Sequence, residues 1–174
     1  MLFEEEIIYK KNIDNTARFA LGEIKDNPII CFGVNPSTAT DLVFDRTINK
    51  IRSFAKIYGF DSWLMLNLYA QRATNPDDLH EQINEDLHTT HLEIIKNILL
   101  QYDNLTIIAA WGNLITKRKY LNQCLKDIVA ILPNNVEWKS IGEVSKVGHP
   151  KHPLYLSYTT PLLDFDVNNY LEKI

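Results

Sequence analysis

Residues 28–34 read PIICFGV (Pro28–Val34), a nearly unbroken apolar run that leads straight into Asn35-Pro36-Ser37-Thr38-Ala39. Such a run, without polar alternation, reads as a strand covered on both faces, as in parallel sheets. Trp63–Leu68 (WLMLNL) and Leu105–Trp111 (LTIIAAW) repeat the pattern, and Val136–Ile141 (VEWKSI) is a fourth, less uniform strand. Helical periodicity fills the gaps. Thr47–Tyr58 puts Ile48, Ile51, Phe54, Ala55 and Tyr58 on one face and meets Gly59 where a C-terminal glycine cap belongs. Asn84–Tyr102 does the same through Leu87, His91, Ile94, Ile95, Ile98 and Leu99. Asn113–Leu132 follows through Leu114, Ile115, Leu121, Leu125, Ile128, Val129 and Leu132, stopped by Pro133. Alternating strands and helices predict an α/β fold, a three-layer αβα sandwich around a central, mainly parallel four-stranded sheet. Glu5–Tyr9 and Ala17–Ile24 are expected to pair as an antiparallel ribbon against that core.

The 174 residues are 45% hydrophobic and 23% charged, which excludes disordered, collagen-like and disulfide-scaffold chains and fits one domain over residues 1–174. Cys31 and Cys124 lie in apolar surroundings, outside any CxxC or Cys/His cluster, so a reducing, cytoplasmic setting is expected. The opening MLFEEEIIYK carries glutamates where a signal peptide needs positive charge, and no apolar run is long enough to span a bilayer. Neither export nor a membrane partner is expected. The net charge of −4 argues against a protein that coats duplex nucleic acid. That average hides a gradient, since residues 112–155 hold seven bases against three acids. An anionic partner is expected to meet this stretch.

Ligands of parallel α/β sheets bind beyond the carboxyl ends of the strands, so the residues there are the candidates. After the first strand, Gly33 permits close backbone approach, Pro36 stiffens the turn, and Asn35 either braces its own backbone or points an amide above the sheet. Asn67 ends a wholly apolar run; unpartnered burial there costs about 1–3 kcal/mol, so it is either bonded to a loop or kept to read a ligand. An amide offers donor and acceptor side by side, the complement of a nucleobase edge. Trp111 and Gly112 close the third strand, the first as packing and the second as a tight turn, and Lys117-Arg118-Lys119 reads as a solvated helix face. The last strand leads to HPKHPL at His149–Leu154, where prolines stiffen both histidines. A zinc pair is disfavoured there, because Pro150 excludes a regular helix and no third ligand lies near.

Taken in order, GVNPS at Gly33–Ser37, LMLN at Leu64–Asn67, AWG at Ala110–Gly112 and HPKHPL at His149–Leu154 resemble the uracil-DNA glycosylase superfamily. More closely, Arg18 to Leu156 resembles the bacterial and phage family known as domain of unknown function 1643. The matching motifs are NPSTA at Asn35–Ala39, Asp-x-Thr at Asp45–Thr47, NLYAQRAT at Asn67–Thr74, AWG, and HPLYL at His152–Leu156. The second family brings no established reaction. The first implies a uracil-DNA glycosylase-like fold and hydrolysis of an N-glycosidic bond in a nucleobase-containing substrate, with no cofactor or metal.

On that resemblance, Asn35 orients a water, Asn67 bonds the base edge, and His152 donates to the departing base. His149 is the alternative histidine; His152 is preferred because its His-Pro-Leu is uninterrupted. Gly33, Pro36, Ser37 and Trp111 line the base site, and Phe44 either stacks on a flipped base or belongs to the core. With no carboxylate beside Asn35, the reaction relies on stabilising the leaving group, since an amide cannot deprotonate water. Arg72 either binds a phosphate or carboxylate or pairs with Asp77 or Asp78 on the surface. Three readings follow: an N-glycosylase acting on a nucleoside or on single-stranded or damaged nucleic acid; a non-catalytic nucleotide or nucleobase sensor; and an interaction protein whose polar residues only brace turns. Oligomeric state is not legible.

Overall fold

A computed structural model describes residues 6–23 and 25–174. Glu5 and Ile24, at the outer ends of the expected ribbon, and the first four residues lie outside the described residues. Seven strands form one sheet: β1 (Ile7–Lys11), β2 (Arg18–Glu23), β3 (Pro28–Gly33), β4 (Ser62–Asn67), β5 (Leu105–Ala109), β6 (Val136–Ile141) and β7 (Leu162–Asp164). Their spatial order is β1-β2-β4-β3-β5-β6-β7. The neighbours β4-β3, β3-β5 and β5-β6 run parallel, whereas β1-β2, β2-β4 and β6-β7 are antiparallel. The expectation of a four-stranded sheet is thus corrected to a mixed sheet of seven. The N-terminal ribbon forms, but β2 hydrogen-bonds to β4 and so extends the sheet. β7, with three partly exposed residues, is too short to leave a periodic signal.

Successive residues of the inner strands divide between two cores. Ile29, Cys31, Trp63, Met65 and Ile108 face α1 (Arg46–Ile57), which contributes Ile48, Ile51 and Phe54. Ile30, Phe32, Leu64, Leu66 and Ile107 face α2 (Glu85–Leu99) and α3 (Tyr120–Ile131), through Ile95, Ile98, Leu121, Leu125 and Ile128. Burial on both faces is why these strands are apolar throughout. Asp45 and Asn84 cap α1 and α2, accepting from Ile48 N at 2.9 Å and Leu87 N at 3.0 Å. Gly59, at φ 83°, ends α1 as expected, with Phe60 N donating to Ala55 O.

The helix expected over Asn113–Leu132 is interrupted. Gly112–Lys117 forms 3-10 turns, Arg118 is extended, and α3 starts only at Tyr120. The break follows from Arg118, whose guanidinium donates to the carbonyls of Asp77, Leu79 and His80, 38 or more residues away. Lys117 pairs with Asp77. Two charges of the basic block therefore fasten the loop after β4 and are not a free solvated face. The chain closes with α4 (Val167–Lys173), whose Tyr170 joins the second core. Among the described residues no helix is long and apolar enough to cross a membrane.

Candidate functional site

From β3 the chain crosses to β4 on one side and later returns to β5 on the other, with α1 on one face of the sheet and α2 on the opposite face. A crevice is expected at such a switch, beyond the carboxyl ends of β3 and β5. A cavity of about 150 Å³ lies there, lined by Gly33, Asn35, Pro36, Ser37, Asn67, Trp111 and His152, together with Arg18, Asp45, Thr47 and Thr74. That volume matches an engineered cavity that accepts one benzene ring. A larger hollow, about 560 Å³, lies at the other end of the strands beside Lys25–Asn27 and Gln101–Asn104.

Asn67 is 1% exposed, and neither Nδ2 nor Oδ1 has a hydrogen-bond partner. Its backbone is firmly held, since the Asn67 carbonyl lies 2.6 Å from His91 Nε2 on α2. Gly33 lies opposite: a Cβ there would sit 3.0 Å from Asn67 Oδ1 and 2.9 Å from Met65 Cε, so a larger residue would press on the Asn67 amide. Among the described residues six buried side-chain nitrogen or oxygen atoms lack partners, and three of them belong to Asn67 and Arg18 on this cavity wall. Each such atom costs about 1–3 kcal/mol when left dry and unpaired, which makes this wall the candidate site.

Asn35 is half-buried, and its Nδ2 donates to the carbonyls of Ala73 at 2.9 Å and Pro36 at 3.0 Å, with Gln71 at 3.4 Å. Its amide thus braces the neighbouring loop, while Oδ1 accepts no hydrogen bond from the described residues. His152 Nδ1 accepts from Leu154 N at 3.2 Å, which assigns the ring proton to Nε2. Burial lowers its pKa, opposed by the Asp45 carboxylate, which favours the neutral ring with its proton on Nε2. Gly112, at φ 59°, adopts the left-handed turn that lets its N–H donate to Pro150 O at 2.8 Å and draws the histidine loop to the end of β5.

Three candidates fall elsewhere. His149 points away from this cavity to Tyr170, whose hydroxyl lies 2.7 Å from Nδ1 and accepts from Trp111 Nε1 at 3.0 Å. Phe44 packs edge-on against Trp63 with Arg52 over its ring, in the α1 core. Arg72 makes no ion pair with Asp77 or Asp78. It donates to the carbonyls of Ser37 at 2.7 Å and Ala39 at 3.1 Å, to Tyr9 Oη at 2.7 Å and to Asn15 Oδ1 at 3.2 Å. Of NLYAQRAT, then, Asn67, Ala73 and Thr74 reach the cavity, and Arg72 clamps the loop that carries Ser37.

Two charged residues of the cavity wall, Arg18 and Asp45, are not among the sequence candidates. Arg18 is 2% exposed, a lone cation in a strand otherwise buried and mainly apolar, and that position was its only signal. Asp45, noted only within a motif, brings to the wall the carboxylate that sequence reading found missing near Asn35. Among the described residues no group of three or more His, Cys, Asp or Glu side chains is placed to hold a metal ion.

The fold and cavity define an α/β protein with a small polar pocket at the switch point of its sheet. Residues 18–154 match the family described as "Protein of unknown function (DUF1643)", and the chain belongs to that family. Among curated proteins none matches the chain.

Proposed function

We propose that the strand-end cavity binds a nucleobase through Asn67, and that the protein hydrolyses the N-glycosidic bond to that base. The observation that carries this reading is the buried Asn67 amide, with donor and acceptor both unpartnered in a pocket of single-ring size. A residue that merely braced a turn would not leave both atoms orphaned. The four strand-end motifs and their resemblance to uracil-DNA glycosylases supply the reaction class.

In this mechanism the base enters edge-on to Asn67. Water, held by Asn35 Oδ1, attacks the anomeric carbon as the C–N bond breaks and its electron pair moves onto the base. His152 Nε2–H stabilises the developing negative charge, as a neutral donor fixed by the Leu154 N–H bond. The water proton passes to Asp45, the one carboxylate on the described cavity wall. A sensor without turnover takes support from Asn35, whose amide nitrogen is committed to backbone carbonyls.

The test is base release from single- and double-stranded oligonucleotides carrying uracil, hypoxanthine or alkylated bases, and from free nucleosides. Release that is lost in both Asn35→Ala and His152→Ala supports catalysis. Saturable binding without release establishes the sensor, and neither binding nor release overturns the reading.

A further inference from the structure

Arg18 is buried at the start of β2 with an incomplete set of partners. Nη1 donates to Ala39 O at 3.2 Å, Nε is buried and unpaired, and the guanidinium forms no ion pair with any described carboxylate. The same Ala39 carbonyl accepts from Arg72 Nη1 at 3.1 Å. Two guanidinium groups therefore converge on one oxygen, and every partner of Arg72 is neutral. Placing like charges together in a buried wall without a counter-ion is costly. The strain registers on Arg18, whose pKa burial and Arg72 together lower to about 10, with Asp45 and Tyr9 opposing; it remains a cation at neutral pH. Asp45 compensates only at a distance, beyond 4 Å, while its Oδ1 caps Ile48 N.

We propose that the missing counter-ion is part of the ligand: Arg18 makes the cavity select a ring-bearing ligand with an attached oxyanion, a phosphate or a carboxylate. The wall around Arg18 suits such a group. Ser37 Oγ and Thr74 Oγ1 lie 3.0 Å apart, a contact that uses one hydroxyl proton and leaves the other to donate. The first turn of the 12-residue α1 borders the same space through Asp45 and Thr47, adding the positive end of a helix dipole. A planar guanidinium with a free edge binds either oxyanion by paired N–H donors.

This inference rests on the nucleobase reading for the ring but not for the anion. Calorimetric titration of the full chain with uracil, orotate, uridine and uridine 5′-monophosphate separates the two. At least one anionic ligand is expected to bind tenfold or more tightly than its neutral counterpart; gain with orotate identifies a carboxylate site and gain with the monophosphate a phosphate site. Arg18→Gln should abolish that preference, and Arg18→Lys should keep part of it. If Arg18→Gln fails to fold by circular dichroism, competition in the wild type decides: inorganic phosphate should displace the anionic ligand and leave neutral-ligand affinity unchanged. Equal affinity for neutral and anionic ligands, or a preference that survives Arg18→Gln, overturns this inference alone. Thermal protection by inorganic phosphate that is lost in Arg18→Gln, without binding of any ring compound, leaves Arg18 as a bare oxyanion site and overturns both the ring-bearing ligand and the nucleobase reading. No binding of any of these probes overturns both.

Discussion

His91 on α2 is fully buried against the carbonyl of Asn67, and acidification should expose its energetic role. Burial depresses its pKa from 6.5 to about 4; the Asn67 bond opposes the shift and neighbouring His88 adds to it. The native ring stays neutral at pH values where the unfolded chain takes up a proton. Stability is therefore complete above pH 6.5, falls as pH drops through 6.5 toward 4, and levels off below. Each pH unit in that window removes about 1.4 kcal/mol, so the total approaches about 3 kcal/mol, a large part of the stability of an ordinary domain. Urea unfolding followed by far-UV circular dichroism, from about pH 4.5 to about pH 7.5, measures it. The comparison is with His91→Gln, whose side-chain amide can still donate to Asn67 O but does not titrate. The wild type should lose about 2–3 kcal/mol more than the variant across the window. The other four histidines are present in both proteins, so the difference isolates the substituted site. Parallel pH dependences would refute the assignment of the acid loss to His91.

Other residues make equally definite demands. Gly22→Ala should destabilise by about 3 kcal/mol or more in chemical unfolding, because the new Cβ would sit 2.5 Å from Trp63 O and 2.8 Å from Leu64 Cα, backbone atoms that cannot swing aside; a loss under about 1 kcal/mol would contradict the packing of β2 on β4. Arg72→Lys keeps the charge but surrenders the fork that joins Ser37, Ala39, Tyr9 and Asn15, so proteolysis of the 37–45 loop should speed up with little change in the far-UV spectrum; unchanged cleavage would deny that clamp. Burial raises the pKa of both cysteine thiols, and a thiol reagent should label neither Cys31 nor Cys124 until denaturant is added.

What sequence made legible tracks how locally each feature is determined. The inner strands announce themselves because burial on both faces leaves no room for polar alternation, and Asn67 stands out as the amide closing such a run. β7 escaped notice because three residues pair only through what the rest of the sheet offers them. The break before α3 leaves no local signal because its cause, the carbonyls of Asp77, Leu79 and His80, lies 38 or more residues from Arg118 along the chain. The site followed the same rule. Strand-end residues stand out by position, and the uninterrupted His-Pro-Leu favours His152 over His149, but only their partners show the difference, Tyr170 for His149 and Leu154 for His152. Arg18 enters the cavity from a different strand, and no spacing along the chain connects it to Asn35 or His152. Arg72 was read as either an anion ligand or a surface ion pair, and it is chiefly a clamp.

The family match covers residues 18–154, whereas β1, β7 and α4 fall outside it. Those flanks are the two margins of the sheet, and each sends one tyrosine inward: Tyr9 Oη receives Arg72 from one side, and Tyr170 Oη receives Trp111 from the other. A protein trimmed to the shared segment would keep every polar residue of the pocket and lose both of these supports. Trp111 Nε1 alone, left without a partner, would cost about 1–3 kcal/mol. The margins therefore act as outriggers for the pocket, so relatives that differ there can differ in how rigidly they hold the same set of side chains.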